Sequence, residues 1–197
     1  MWEDKPLAGE RITVLGGGVS GISLACLAAK LGADVFLSDA RVLSADAEKK
    51  LADHGVAFET EGHSARVFEC DRVLVGSGFP AQADILSEVQ MRGLPVVGEL
   101  DFVSPWLQGK LIGITGSNGK TTTTSLLGHL LRCLGHDVAI VGNIVSPLAE
   151  IAGERHDFIV AEFSSFQLYR AHSLPLVGAI VTNLAPDHID WRGSYEN

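Results

Sequence analysis

Along the chain, short β-rich apolar runs alternate with stretches whose apolar positions recur at helical spacing, and glycine-rich turns separate the two. This alternation predicts a parallel sheet covered by helices, because parallel neighbours need a crossover to connect them. In the first half, residues 11–15, 34–38, 57–59, 72–75 and 95–97 read as strands. Helices fall between them. The first runs from Val19 to about Leu31, with Ile22, Cys26 and Ala29 on one face and Gly32 placed to stop it. Two more are expected over 44–54 and 83–92.

The segment Asp101 to Gly109 breaks the pattern, and a fresh strand from Lys110 to Thr115 then leads into a second glycine turn. The expected division is therefore one domain over 1–105 and another over 106–197. The helix after the second turn carries Leu126, Leu127, Leu130, Leu131 and Leu134, with Gly135 to end it. Further strands are predicted over 137–141, 158–162 and 179–182. No helical pattern follows the last of these, and the ending looks unfinished.

With 46% hydrophobic and 20% charged residues, the composition is that of an ordered globular protein. A net charge of -9 with no run of Lys or Arg argues against a nucleic-acid surface or an anionic membrane, so any phosphate must be held locally. The apolar runs are far too short to span a bilayer, and the first residues do not resemble a secretory signal. Cys26, Cys70 and Cys133 stand outside any metal-ligand spacing. They read as small buried apolar residues in a reducing cytoplasm.

Two loops carry candidate chemistry. Gly16-Gly17-Gly18-Val19-Ser20-Gly21 satisfies G-x-G-x-x-G between a predicted strand and a predicted helix. Gly16 permits the tight turn, Gly18 lets backbone approach a diphosphate, and Gly21 lets the helix pack on the strand. Asp39 ends the next strand, where an acid usually meets a ribose hydroxyl. NAD, FAD and a nucleotide sugar all fit this pattern.

The second loop is Gly116-Ser117-Asn118-Gly119-Lys120-Thr121-Thr122. Backbone N–H groups of such a loop wrap the β-phosphate of a nucleoside triphosphate, a lysine bridges its β and γ oxygens, and a hydroxyl ligates Mg²⁺. The spelling departs from the usual motif, because Ile114 stands at the first glycine position with Gly113 and Gly116 on either side. Two phosphate loops in one short chain suggest two nucleotides, or a nucleotide sugar plus ATP. Beyond the second loop, Glu162 ends one predicted strand and Thr182-Asn183-Leu184-Ala185-Pro186-Asp187-His188-Ile189-Asp190 ends another. The two strand ends are expected to lie side by side, with Glu162 and His188 sharing a metal ion. Asp187 and Asp190 read equally as turn or capping residues.

Residues 114–122, Gly142-Asn143-Ile144, the run 162–168 and the run 183–190 look like the consecutive motifs of the Mur ligases, ATP-dependent amide-forming enzymes of peptidoglycan precursor synthesis. The stretch Ser164-Ser165-Phe166-Gln167-Leu168 resembles the branch that adds D-glutamate to UDP-N-acetylmuramoyl-L-alanine. The resemblance implies a Rossmann-like α/β domain that binds the substrate's uridine diphosphate, followed by the start of a P-loop α/β ATPase domain. Substrate contacts would come from Gly16, Gly18, Val19, Ser20 and Gly21, from Asp39, Ala40 and Arg41, and from Gly76, Ser77, Gly78 and Phe79. Asn143 and Ser164 would meet the muramoyl end. Residues Gly116 to Thr122 would hold ATP, and Thr121, Glu162 and His188 would hold Mg²⁺, with Lys120, Glu162 and His188 catalytic. Here the family's Ser-Pro-Gly-Ile-Pro is Gly76-Ser77-Gly78-Phe79-Pro80, and its Gly-Asn-Ile-Gly ends in Val145.

The implied reaction activates the substrate's alanyl carboxylate as an acyl phosphate, which the D-glutamate amine attacks. Family members are longer, with a third domain and a carbamylated lysine past the Asp-His-Ile-Asp motif, whereas no lysine follows Lys120 here. The resemblance thus implies an N-terminal portion, monomeric and inactive as a ligase by itself. The rival expectations are another amino-acid-adding member and a nucleotide-binding module without ligase activity.

Overall fold

The computed structural model describes residues 4–143 and 146–185. The chain divides into two compact units, Met1–Val103 and Ser104–Asn197. In the first unit, β1 (Arg11–Leu15), α1 (Val19–Lys30), β2 (Asp34–Ser38), α2 (Ala45–Asp53), β3 (Ala57–Glu59), β4 (Arg72–Val75), α3 (Asp84–Met91), β5 (Val96–Gly98) and α4 (Glu99–Val103) follow in turn. The sheet order is β3-β2-β1-β4-β5, and every pairing is parallel.

β1 and β2 are buried along their last four residues, on both faces of the sheet, which is why they read as continuous apolar runs. Leu15 lies in register with Ser38 on one side and Val75 on the other, so the carboxyl ends of β1, β2 and β4 form one edge. Chain order reverses between β1 and β4. The crevice beyond that point is where open α/β sheets bind ligands.

The second unit contains β6 (Gln108–Thr115), α5 (Lys120–Cys133), β7 (Val138–Gly142), β8 (Arg155–Glu162), α6 (Ser165–Tyr169) and β9 (Leu176–Val181). Its sheet is also parallel, in the order β7-β8-β6-β9. β6 begins two residues before the expected strand, after a 3₁₀ turn over Ser104–Trp106. The ends of β8 and β9 share an edge of the sheet but are not neighbours as the sequence suggested, because β6 runs between them. Burial explains the order: β6 and β8 are buried at their carboxyl ends, whereas β9 is largely exposed and takes the edge.

The leucine pattern of α5 also divides. Leu127 and Leu131 pack on the cluster of Ile114, Val138 and Val160, but Leu126, Leu130 and Leu134 are 56%, 50% and 74% exposed. The inward face is Thr124, Leu127, Gly128 and Leu131, and Gly128 sits where any Cβ would collide with the Ile140 side chain. A helix can approach the sheet this closely only along its smallest residues. Cys26 and Cys70 are buried as expected; Cys133 is exposed, because it lies off that inward face. No described helix is long and apolar enough to cross a membrane.

Candidate functional site

In the first unit, the turn from β1 into α1 is built from glycines that the packing requires. Gly16 has φ +99°, a region that L side chains rarely adopt, and a Cβ at Gly21 would collide with the Gly16 carbonyl. Gly18 is the N-cap of α1 and brings no side chain of its own to the cap. The first-turn N–H groups of α1 therefore point out of the edge, with Val19 72% exposed beside them.

Asp39 lies against this turn. Its carboxylate accepts from the Gly17 N–H at 2.5 Å and from the Arg41 N–H at 2.7 Å, and its side chain is only 6% exposed. Burial alone would raise its pKa, but the Gly17 and Arg41 hydrogen bonds and the Arg41 charge outweigh it and hold the carboxyl below its usual range. Sequence reasoning placed Asp39 at a ribose hydroxyl; in the structure its carboxylate holds the glycine turn. Ala40 is exposed, and the Arg41 side chain is mostly in solvent.

Ser20 hydroxyl donates to Glu99 Oε2 at 2.5 Å, with Glu99 itself buried. Nothing in the sequence pattern singled out Glu99. Gly76 and Phe79 close a turn after β4, where the Phe79 N–H donates to the Gly76 carbonyl at 3.0 Å. The Phe79 ring lies beside Gly16 and edge-on to His63. Ser77 donates its N–H to the Ser20 hydroxyl at 3.5 Å, and Gly78 has open space around it. A second group missed at the sequence level joins the same edge: Ser38 Oγ lies 2.7 Å from both Glu59 Oε1 and His63 Nδ1.

In the second unit, the loop from β6 into α5 lies at the carboxyl edge, flanked by the ends of β8 and β9. Lys120 opens α5, and its ammonium folds over the loop to donate to the Gly116 carbonyl at 2.6 Å and the Ser117 carbonyl at 3.1 Å. Thr121 donates its hydroxyl to Glu162 Oε2 at 2.9 Å. Glu162 is 2% exposed and Thr121 is exposed, so the pair reaches from the sheet interior to the loop surface.

On the other side, residues after β9 grip the loop. The Ser117 N–H donates to the Asn183 carbonyl at 3.1 Å and the Asn118 N–H to Asn183 Oδ1 at 3.0 Å. Asn183 Nδ2 in turn donates to the Asn118 carbonyl at 2.7 Å, and the Thr182 hydroxyl donates to the same carbonyl at 2.6 Å. Ser117 and Asn118 therefore spend their N–H groups on the protein. The amides from Gly119 through Thr122, at the start of α5, carry no such tether, as the first N–H groups of a helix lack an intrahelical partner.

Asn143 donates its N–H to the Glu162 carbonyl at 3.1 Å. Ser164 is the N-cap of α6: its hydroxyl accepts from the Gln167 N–H at 3.2 Å, and its own N–H donates to Gln167 Oε1 at 2.9 Å. The Ser164-to-Gln167 segment is thus a capping box, which explains its residue types structurally. His188, Asp187 and Asp190 lie outside the described residues.

Paired glycine turns at the carboxyl edges of two parallel sheets, the second with a lysine and a hydroxyl–carboxylate pair, define a class of nucleotide-binding α/β protein. A family model described as the MurD N-terminal domain matches residues 11–85, and one described as the Mur ligase middle domain matches residues 114–197. The chain belongs to the Mur ligase family. It is 39% identical over 183 residues to the UDP-N-acetylmuramoylalanine--D-glutamate ligase of Bacteroides fragilis, with 92% of this chain and 41% of the relative covered. Against the enzyme of the same name from Christiangramia forsetii it is 41% identical over 184 residues, again covering 92% and 41%. Among solved structures, a murein peptide ligase from Psychrobacter arcticus aligns with a TM-score of 0.61 at 26% identity, covering 92% of this chain and 44% of that one. The chain thus spans about 41% of the length of the curated relatives it matches.

Proposed function

We propose that this chain carries the UDP-substrate site and the phosphate loop of an ATP-dependent ligase that adds D-glutamate to UDP-N-acetylmuramoyl-L-alanine. The observation that carries the reading is the Thr121–Glu162 hydrogen bond beside Lys120, in a chain that also bears the glycine turn at 16–21. The two named ligase relatives support the choice of D-glutamate as the amino acid added.

Each residue has a part in this chemistry. The amides at the start of α1 receive the uridine diphosphate, and the Asp39 carboxylate keeps the turn in shape for it. The amides from Gly119 through Thr122 receive the triphosphate of ATP, and Lys120 moves from the loop carbonyls to the β and γ oxygens. The alanyl carboxylate is a poor electrophile until one of its oxygens becomes a phosphate leaving group. Transfer of the γ-phosphoryl group makes it an acyl phosphate, which the D-glutamate amine then attacks with loss of phosphate. Lys120 offsets the negative charge that would repel the attacking carboxylate.

Thr121 hydroxyl and Glu162 carboxylate are hard oxygen donors, and they fit Mg²⁺, which takes one or two protein ligands together with phosphate oxygens and water. Among the described residues no group of three or more His, Cys, Asp or Glu converges. When bound, the ion would neutralise phosphate charge. His188 is assigned to the same ion from its place after β9 and from the family resemblance, and it lies outside the described residues.

Titration tests the reading. Binding of UDP-N-acetylmuramoyl-L-alanine and Mg·ATP, without binding of NAD, is the expected result. Binding of NAD with no response to the UDP compound would overturn it in favour of a different nucleotide-binding module.

A further inference from the structure

Among the described residues, Asn183 holds the second glycine loop by both its side chain and its backbone, and it has no assigned role. Its side-chain amide accepts from the Asn118 N–H at 3.0 Å and donates to the Asn118 carbonyl at 2.7 Å. Its own carbonyl accepts from the Ser117 N–H at 3.1 Å. One residue thus satisfies two consecutive N–H groups and a carbonyl of the loop, as a neighbouring strand would, where no strand runs. Thr182 reinforces the grip from the preceding position, with its hydroxyl 2.6 Å from the Asn118 carbonyl. Ser117 and Ala185 close it with two reciprocal bonds, at 3.0 and 2.9 Å.

This arrangement sorts the amides of the loop. Those of Ser117 and Asn118 are turned toward the end of β9, which leaves Gly119 and the first turn of α5 to face an anion. Gly119 sits at φ +80°, and the loop must hold that left-handed conformation for the following amides to converge. Gly116 allows the close approach: a Cβ there would collide with the Thr182 hydroxyl. A loop free to rotate about the Asn118 peptide would lose the convergence before a phosphate arrived. The ordering cost would then fall on binding.

We propose that Asn183 is the positioning residue of the phosphate loop, locking the Asn118 peptide so that the amides from Gly119 through Thr122 are set for a triphosphate before it binds. The inference rests on the phosphate-loop reading above and adds to it which residue prepares the loop. Asn183 itself touches no phosphate in this scheme. It acts through Asn118.

The experiment compares the 197-residue chain with its Asn183→Ala and Asn183→Asp variants in titrations with Mg·ATP, Mg·ADP, adenosine and UDP, alongside amide hydrogen exchange at Ser117 and Asn118. Asn183→Ala is expected to weaken Mg·ATP binding by about tenfold, the scale of two lost hydrogen bonds. Mg·ADP should weaken too, while adenosine and UDP change little. Asn183→Asp keeps an acceptor for the Asn118 N–H but sets a carboxylate against the Asn118 carbonyl, so it should fold and yet bind Mg·ATP more weakly still. Exchange at Ser117 and Asn118 should quicken in Asn183→Ala, with the strands β6 and β8 unchanged. A purely structural role would instead weaken every ligand of the second unit alike and speed exchange throughout its sheet, and that pattern would overturn the proposal. So would Mg·ATP affinity unchanged in both variants. Failure of the wild-type chain to bind Mg·ATP at all would remove the phosphate-loop reading and this inference with it.

Discussion

Thr121 and Glu162, 41 residues apart in the chain, are joined by a 2.9 Å hydrogen bond between hydroxyl and carboxylate. The bond exists because Glu162 stands opposite Ile114 in the β6–β8 register, one position before β6 runs out into the loop. The α5 helix then returns Thr121 over the end of β8. A buried carboxylate next to an anion site would be repelled by a phosphate unless a cation stood between them.

The first prediction follows from that pair. Glu162→Gln keeps the acceptor for Thr121 and removes the charge. ATP binding should lose most of its dependence on Mg²⁺, with an effect of about tenfold or more on Mg·ATP affinity. Titrations with and without Mg²⁺ measure it; an unchanged Mg²⁺ dependence would show that Glu162 is not a ligand.

The second concerns the first glycine turn. A Cβ at Gly21 would strike the Gly16 carbonyl, whereas one at Gly78 meets nothing within 4 Å. Gly21→Ala should therefore destabilise the first unit by about 1–3 kcal/mol and abolish UDP binding. Gly78→Ala should leave stability within about 0.5 kcal/mol of wild type. Chemical denaturation of the two variants compares them directly.

A third prediction separates the leucines of α5. Leu127→Ala should cost about 2 kcal/mol, because that side chain packs on Ile114, Val138 and Val160. Leu130→Ala, on the exposed face, should cost less than about 0.5 kcal/mol. Equal losses would place both faces of the helix in the core.

The fourth is a dependence on pH. Asp39 is held below its usual carboxylate range in the folded chain, so the folded state binds this proton less readily than the unfolded chain does. Its contribution to stability is complete above the unfolded value of about 3.9 and is lost as pH falls through the lower folded value. Acid unfolding followed in wild type and Asp39→Asn should show the acid-side slope reduced in the variant. The same variant should loosen the glycine turn, because its amide can accept from one N–H but brings no charge.

Much of this fold is legible in the chain. The strands β1, β2 and β4 carry short, mostly apolar runs that suit a doubly covered parallel sheet, and β1 and β4 run directly into Gly16 and Gly76. The order of strands in the second sheet was not legible. Spacing puts Glu162 and Asn183 at strand ends, but only the edge-like exposure of β9 reveals that β6 separates them. Helical spacing likewise counts leucines without telling which ones face the sheet, since Gly128 set the face of α5 through its size.

Among site residues, Thr121 and Glu162 share a hydrogen bond, while the Lys120 ammonium donates to the loop carbonyls. Asp39 and Ser164 carry residue types that suit a ligand, and each also accepts from protein backbone, Asp39 from Gly17 and Arg41 and Ser164 from Gln167. Glu99 was invisible, and Asn183 was legible as a strand-end residue but not as a loop anchor, because their partners lie 79 and 65 residues away.

The central place of β6 has a consequence in time. Its loop is written early in the second unit, but both strands that flank it, and the asparagine that grips it, come later in the chain. A ribosome would release residues 116–122 well before Asn183 exists to hold them. Contacts of such long sequence separation form late in folding, because loop closure must precede them. Pulse-labelled amide exchange during refolding should find Asn118 protected after the helix that follows it; protection in the reverse order would show that the loop needs no such partner. The order of the strands thus predicts that the loop over 116–122 is fixed late in folding.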